Sequence, residues 1–227
     1  MIVKLGSSHD ATLSFEPSLY NSDLISLTTS GVGAVNLKVS GKASHAGFAP
    51  QLGQNALVEL AYQIQQMRDL SVSEEGIKMN WTLANAGTNR NVIPSNAEAS
   101  ADVRVLKKDG FDTIEKKINN YVKTQQNPNV TVDIKLERRR PALVASSQGL
   151  ALANYAKNIY AGLGKDLILN KVAVGAATDA AYAALNTDNP VLESMGLQGF
   201  GAHTDKDEFI LVSSIVPRMY MNVQLIM

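Results

Sequence analysis

Three histidines occur in 227 residues, at positions 9, 45 and 203. His203 lies in the glycine-rich stretch GFGAHTDKDEF, residues 199–209, and four charged residues follow it within five positions. A loop histidine among small residues fits a metal ligand, a general base or a solvent-exposed residue. His45 stands in GKASHAG, between a strand pattern and a helix pattern, where small neighbours allow close approach by a backbone or a ligand. A capping or solvent role fits it as well. Glu16, in SFEPS, follows an apolar run and precedes a proline. A carboxylate at a strand end, in the mouth of an α/β sheet, is a ligand position, and a plain loop glutamate is the alternative. NVIPSNAEASADVRV carries Asn91 in a turn and Arg104 within a strand pattern. An arginine in a half-buried strand needs an anion for its fork of donors, whether a structural carboxylate or a substrate. ATDAAYAAL, entered through Gly175, is a small-residue turn opening a helix, suited to backbone N–H contacts with an anion.

The elements that must position these residues are legible as hydrophobic periods. VGAVNLKVSG alternates from Val32 and predicts a half-buried strand. Ala56, Leu57, Leu60, Ala61, Ile64 and Met67 recur at helical spacing. IKMNWTLANAG and AEASADVRV predict two further strands, parted by a loop with Gly87 and Pro94. Phe111, Ile114, Ile118 and Tyr121 predict a second helix, and VTVDIKLERRR a fourth strand. Strand, helix, strand, strand, helix, strand is the βαββαβ order of an α+β, ferredoxin-like unit, an antiparallel sheet with both helices on one face. Beyond Pro141, SSQGLALANYAKNIYAGL predicts a helix with a serine cap, LILNKVAV a strand, ATDAAYAAL a short helix and PVLES a short buried strand. Val216, Met219, Tyr220, Val223 and Ile226 then share one helical face. Alternating strands and helices predict an α/β layer. Residues 29–140 are therefore expected as an α+β unit inserted in a split α/β unit of residues 1–28 and 141–227. Residues 1–28 read as a short strand or helix end followed by a polar loop.

Composition narrows the function. Lys plus Arg and Asp plus Glu are both 21, so no field draws the chain to nucleic acid or an anionic membrane, and neither is expected as a partner. The absence of cysteine excludes disulfides, thiolate metal sites and a cysteine nucleophile. No apolar run approaches the ~20 residues that span a bilayer. The apolar stretch of MIVKLGSSHD is too short for a signal peptide, and the sequence does not decide between cytoplasm and periplasm.

LSFEP, TSG, GKASHAG, APQLGQNALVE, NVIPSNAEASADVRV, RRRPA, TDAAYAAL and ESMGLQGFGAHTDKDEF run in this order over nearly the whole chain. Together they resemble the dinuclear zinc amidohydrolases that include aminoacylases and glutamate carboxypeptidases, most of all the folate-cleaving type. The resemblance implies an α/β catalytic domain with two zinc ions and an inserted ferredoxin-like lid that makes a homodimer. It implies removal of a C-terminal, glutamate-like amino acid from a small peptide or N-acyl amino acid. By this resemblance Glu16 and His203 are ligands of different zinc ions. His45 crosses from the partner's lid to hold the oxyanion, at a helix start whose dipole disfavours the protonated ring. Asn91 and Arg104 hold the substrate's carbonyl and terminal carboxylate, and Arg140 and Thr178 line the same pocket. The family's His-x-Asp motif, bridging aspartate and paired glutamates have no counterpart here. His9, followed directly by Asp10 and only seven residues before Glu16, reads as a surface residue. The expectation is a C-terminal portion of such an enzyme, inactive alone. A non-catalytic dimerisation or binding module and an N-acyl-amino-acid deacylase are the alternatives. Leu24 stands where the folate-cleaving members offer a lysine to the glutamate side chain, which implies a weaker preference for glutamate.

Overall fold

A computed structural model describes residues 1–173 and 177–227. The chain divides into two compact units, one made of Met1–Ser30 with Arg140–Met227, the other of Gly31–Arg139. The first arm of the former holds helix α1 (Ile2–Ser8) and strands β1 (Thr12–Leu13), β2 (Ser18–Leu19), β3 (Leu24–Ser26) and β4 (Thr28–Thr29). The continuous unit holds β5 (Gly31–Ser40), β6 (Ser44–His45), α2 (Ala56–Gln66), β7 (Ile77–Ala86), β8 (Val92–Ile93), β9 (Asn96–Val105), α3 (Gly110–Tyr121) and β10 (Thr131–Arg140). The return arm holds β11 (Leu143–Val144), α4 (Ser147–Gly162), β12 (Ile168–Asn170), α5 (Ala180–Ala183), β13 (Val191–Leu192), β14 (Gln198–Phe200), β15 (Phe209–Ile210) and α6 (Ile215–Ile226). A helix thus opens the chain, the second of the two expected forms. Gly175, the expected entry to α5, lies outside the described residues.

In the continuous unit the sheet order is β10-β5-β9-β7, with β5 and β7 both antiparallel to β9. Val35, Leu37 and Val39 of β5 and Val103 and Val105 of β9 are buried, as are Leu60 of α2, Met67 at its C-cap, and Phe111, Ile114 and Ile118 of α3. Alternation on the strands and three-to-four spacing on the helices thus meet in one apolar layer. Gly33 makes room for it: a Cβ there would lie 2.8 Å from a Phe111 ring carbon and 2.7 Å from the Glu137 carbonyl oxygen. The buried stripe of α2 also includes Glu59 and Gln63. Glu59 accepts hydrogen bonds from Gln63 Nε2 at 2.8 Å and from the Asn127 amide at 2.8 Å, so it ties α2 to the loop after α3. Asn55 caps α2, its Oδ1 accepting from the Leu57 and Val58 amides.

In the split unit the strand pairs are short. β1 runs parallel to β13, β3 parallel to β12, and β14 lies between β2 and β15. Its core gathers Ile25, Leu27, Ala153, Ala156, Tyr160, Leu192, Met195 and Met221. Ser146 caps α4, accepting from the Gly149 amide at 2.9 Å. The apolar stripe of α6 is not the face that packs. Val216, Met219, Tyr220, Val223 and Ile226 are all exposed, while Pro217, Arg218 and Met221 are buried. Arg218 has no exposure at all and decides that orientation. Its Nε donates to Asp23 Oδ1 at 2.8 Å, and Nη2 donates to the same oxygen. Nη1 donates to the Ser194 carbonyl and Nη2 to the Leu24 carbonyl, both at 2.8 Å.

Arg218→Met is expected to cost about 3–5 kcal/mol, because it leaves the Asp23 carboxylate and two carbonyls without their donor. Urea denaturation of the two proteins measures it; a loss under about 1 kcal/mol, the level of a surface pair, would contradict this account.

Candidate functional site

The parallel pair β1–β13 ends at one edge in two carboxylates, Glu16 after β1 and Glu193 after β13. Backbone bonds hold the ends together: Ser14 N donates to Leu192 O, Met195 N to Ser14 O and Gly196 N to Glu16 O. Gly196 is required here, since a Cβ would stand 2.5 Å from the Phe15 carbonyl oxygen. Glu16 is exposed and Glu193 is buried. Burial raises the Glu193 carboxyl above its ordinary value of 4.5, hydrogen bonds from the Thr178 and Ser14 side chains and the Ser194 amide oppose the rise, and the charge of Glu16 adds to it. Thr178 Oγ1 donates to Glu193 Oε2 at 2.7 Å and accepts from the Ala180 amide at 3.1 Å, so its hydroxyl proton is committed to the protein. Arg140 Nε donates to Asp179 Oδ1 at 2.8 Å on the exposed side of the same turn. Glu16, Arg140, Thr178, Asp179 and Glu193 thus form one polar cluster.

His203 sits in the β14–β15 connection, exposed, at φ 67°. Gly201 at φ 77° and the Thr204 amide bonded to the Gly201 carbonyl at 3.0 Å make the turn that presents it. His9 closes α1 from the surface, its Nδ1 2.9 Å from the Leu5 carbonyl oxygen. Among the described residues no group of three or more His, Cys, Asp or Glu is arranged to hold a metal ion. Glu16 and His203 alone do not fit a two-metal centre.

In the continuous unit, β6 and β8 pair so that His45 faces Val92, and the Ala46 amide donates to the Asn91 carbonyl at 2.9 Å. His45 and Asn91 are thereby neighbours, and both are exposed. The expected helix start is not what surrounds His45: α2 begins only at Ala56, and His45 caps a single turn. Arg104 lies eight positions along β9 from its first residue, roughly 26 Å of strand at ~3.3 Å per residue. Its Nε and Nη2 donate to the two Asp102 oxygens at 2.8 and 3.1 Å, so a structural carboxylate supplies at least part of the anion it needs.

Glu193 is a member of the cluster that the sequence does not single out. PVLES has the same signal as SFEPS, a carboxylate directly after an apolar run, but reads first as a buried strand end.

Residues 27–130 match the family of the peptidase dimerisation domain. That segment belongs to this family. Almost the whole chain is similar to carboxypeptidase G2 of a Pseudomonas species, 40% identical over 218 residues, which is 96% of this chain and 52% of that protein. Two solved structures share the fold. Aminopeptidase PepT of Bacillus cereus has a TM-score of 0.78 at 19% identity over 96% of this chain and 56% of its own. The Bacillus subtilis YXEP protein, a dinuclear metal binding peptidase from the M20 family, has a TM-score of 0.72 at 13% identity over 98% and 58%. The chain spans about half the length of these relatives. His45, Asn91 and Arg104 all fall within the peptidase dimerisation domain, and the carboxylate cluster and His203 fall outside it.

Folding favours the neutral form of Glu193. Its contribution to stability is fully present below the ordinary value of 4.5 and is lost as pH rises through the higher folded-state value. Glu193→Gln, neutral throughout, should therefore gain on the native protein as pH rises from 4 to 7. Urea midpoints across that range test it, and a constant difference would show that Glu193 titrates normally.

Proposed function

We propose that this chain supplies the dimerisation lid and part of the active site of a metal-dependent amidohydrolase of the carboxypeptidase type, releasing a C-terminal, glutamate-like amino acid from a peptide or N-acyl amide. The 40% identity to carboxypeptidase G2, which runs through both units, carries this reading. The name of a second relative, a p-aminobenzoyl-glutamate hydrolase homolog of Haemophilus influenzae, 39% identical over 71 residues, agrees with an N-acyl glutamate substrate. On this reading Gly31–Arg139 is a ferredoxin-like lid, which the strand order β10-β5-β9-β7 supports. On the same reading Glu16 and His203 would each supply one ligand to a two-zinc centre, which they do not complete by themselves.

The separation within the lid supports a homodimer. His45 and Asn91 sit at one end of β9 and Arg104 toward the other, too far apart for one small substrate to touch both from the same copy. Two copies joined through their lids allow His45 and Asn91 of one to serve the site that Arg104 of the other serves. At the acyl carbonyl, His45 and Asn91 offer hydrogen bonds to the developing oxyanion. At the terminal carboxylate, Arg104, held in plane by Asp102, supplies a guanidinium charge. Arg140 lies at the rim of the carboxylate cluster, where its charge suits the same anionic group. The committed hydroxyl of Thr178 holds Glu193 and the start of α5 in place. Leu24 is 7% exposed and cannot pair with a carboxylate, so methionine or leucine in the terminal position should compete better with glutamate than in carboxypeptidase G2.

The test joins this chain to the part of carboxypeptidase G2 outside the matched region. The chimera should hydrolyse p-aminobenzoyl-glutamate in a metal-dependent manner, and His203→Ala or Glu16→Gln should cost at least ~100-fold. A folded, metal-loaded chimera inactive on every acyl amino acid would refute the reading. The 227 residues alone, reloaded with excess zinc, should show no turnover and should sediment as a dimer.

A further inference from the structure

His45 ends β6, and the chain then makes one turn, closed by the Ala49 amide donating to the His45 carbonyl at 3.0 Å. The imidazole folds over the start of that turn. Its Nδ1 lies 3.2 Å from the Gly47 nitrogen and 3.0 Å from the Phe48 nitrogen, and both of those atoms are N–H donors. A ring nitrogen that accepts two amide protons has no room for a proton of its own. In the neutral ring the proton is then on Nε2. The Phe48 ring stands edge-on to the imidazole at 87°, centroids 6.4 Å apart. The backbone before the turn is fixed by the β6–β8 pairing and by the Ala46 amide on the Asn91 carbonyl.

We propose that the Gly47 and Phe48 amides are positioning groups that lock His45 in its Nε2–H tautomer, so that its outward edge is a hydrogen-bond donor and not a base. A neutral ring with Nδ1 occupied and Nε2 protonated has no lone pair to take a proton from an attacking water. It can only donate, toward a carbonyl oxygen that is gaining charge. The use of that donor rests on the amidohydrolase reading; the tautomer does not. Because the lock is made by backbone atoms four residues or fewer from the histidine, it is present in every copy, whatever the oligomeric state.

The ring 15N shifts of the 227-residue chain decide the tautomer, read from long-range 1H–15N correlations at a pH where the ring is neutral. His45 Nδ1 should resonate as an unprotonated nitrogen and Nε2 as a protonated one, without averaging. Gly47→Ala keeps the amide, and its Cβ would clear the ring at 3.8 Å, so the pattern should persist. Gly47→Pro combined with Phe48→Pro removes both donors and should let the tautomers average. If that variant fails to fold, hydrogen-bond couplings from the Gly47 and Phe48 amides to Nδ1 test the same contact in the unaltered chain. A protonated Nδ1, averaged tautomers or missing couplings in the native chain would overturn the proposal. In the chimera, His45→Ala should lose on the order of 100-fold while His45→Gln, which can donate but not act as a base, should lose less than half of that on a logarithmic scale. Equal losses would mean His45 works as a base. A chimera that is inactive from the outset would count against the proposed function and leave the tautomer standing.

Discussion

The split unit depends on one buried guanidinium. Arg218 is wholly buried and Asp23, its partner, is 15% exposed at the side chain, and 195 positions separate them. A charge so placed is tolerable only when its donors are met, and here two carbonyls and a carboxylate meet them. Tyr160 completes the set: its hydroxyl donates to Asp23 Oδ2 at 3.0 Å, and its ring centroid lies 5.8 Å from the guanidinium carbon. Burial pushes the Tyr160 hydroxyl well above its ordinary value, which keeps it a donor. The network pins α6 and α4 to the first arm of the chain. It also reaches the functional cluster. The Ser194 carbonyl that Arg218 holds belongs to a residue at φ 66°, in a region costly for a side chain other than glycine. Ser26 fixes the same turn from the other side, by its hydroxyl on Ser194 at 3.0 Å and its amide on the Glu193 carbonyl at 3.0 Å. The direction in which Glu193 leaves β13 is thus set by contacts to residues far away in sequence.

This explains what a single sequence can and cannot disclose. The long strands β5, β7, β9 and β10 and the helices α2, α3 and α4 are legible because each carries its own period and is bounded by Gly, Pro or a capping Ser, Asn or Asp. The short strands of the split unit are two or three residues long and carry no period, so that only β12, within LILNKVAV, and β13, within PVLES, fall in expected strands. The face of α6 is misjudged for a related reason. Periodicity weighs apolar residues, whereas the buried side here is chosen by an arginine whose partner lies in the first arm. The same logic hides Glu193, whose environment is made by Ser14 and Thr178 and not by its neighbours in the chain. Glu16, His45 and His203 attract attention because small or rigid residues surround them locally, and that signal needs no partner.

Both units bury ionisable groups within hydrogen-bond networks, Glu193 and Arg218 in the split unit and Glu59 in the continuous one. The continuous unit keeps one face of its sheet polar: Lys38, Glu98 and Lys78 are exposed, and Asp102 and Arg104 pair with each other on a single strand. A pair two residues apart on one strand requires no long-range contact, so the Arg104 plane is fixed as soon as β9 forms. At 34% and 42% exposure the pair contributes little to stability, and its value lies in orientation.

Local fixing is shared by Arg104, His45 and His203, whereas Arg140 is held by Asp179, 39 positions away. Asp102 acts on Arg104 from two positions away, the Gly47 and Phe48 amides act on His45 from two and three, and Gly201 sets the turn that presents His203. The Arg104 and His45 side chains and the backbone turn that carries His203 are set by their own segments, before any partner arrives. That suits a site assembled from separate bodies. Groups that must meet across an interface cannot rely on that interface for their conformation, because every degree of freedom left open would have to be ordered on assembly, at ~0.5–1.5 kcal/mol per mobile side chain. Glu193, by contrast, is oriented by contacts from distant parts of a single unit, Ser14 and Thr178 among them, and so is fixed by the folding of that unit alone.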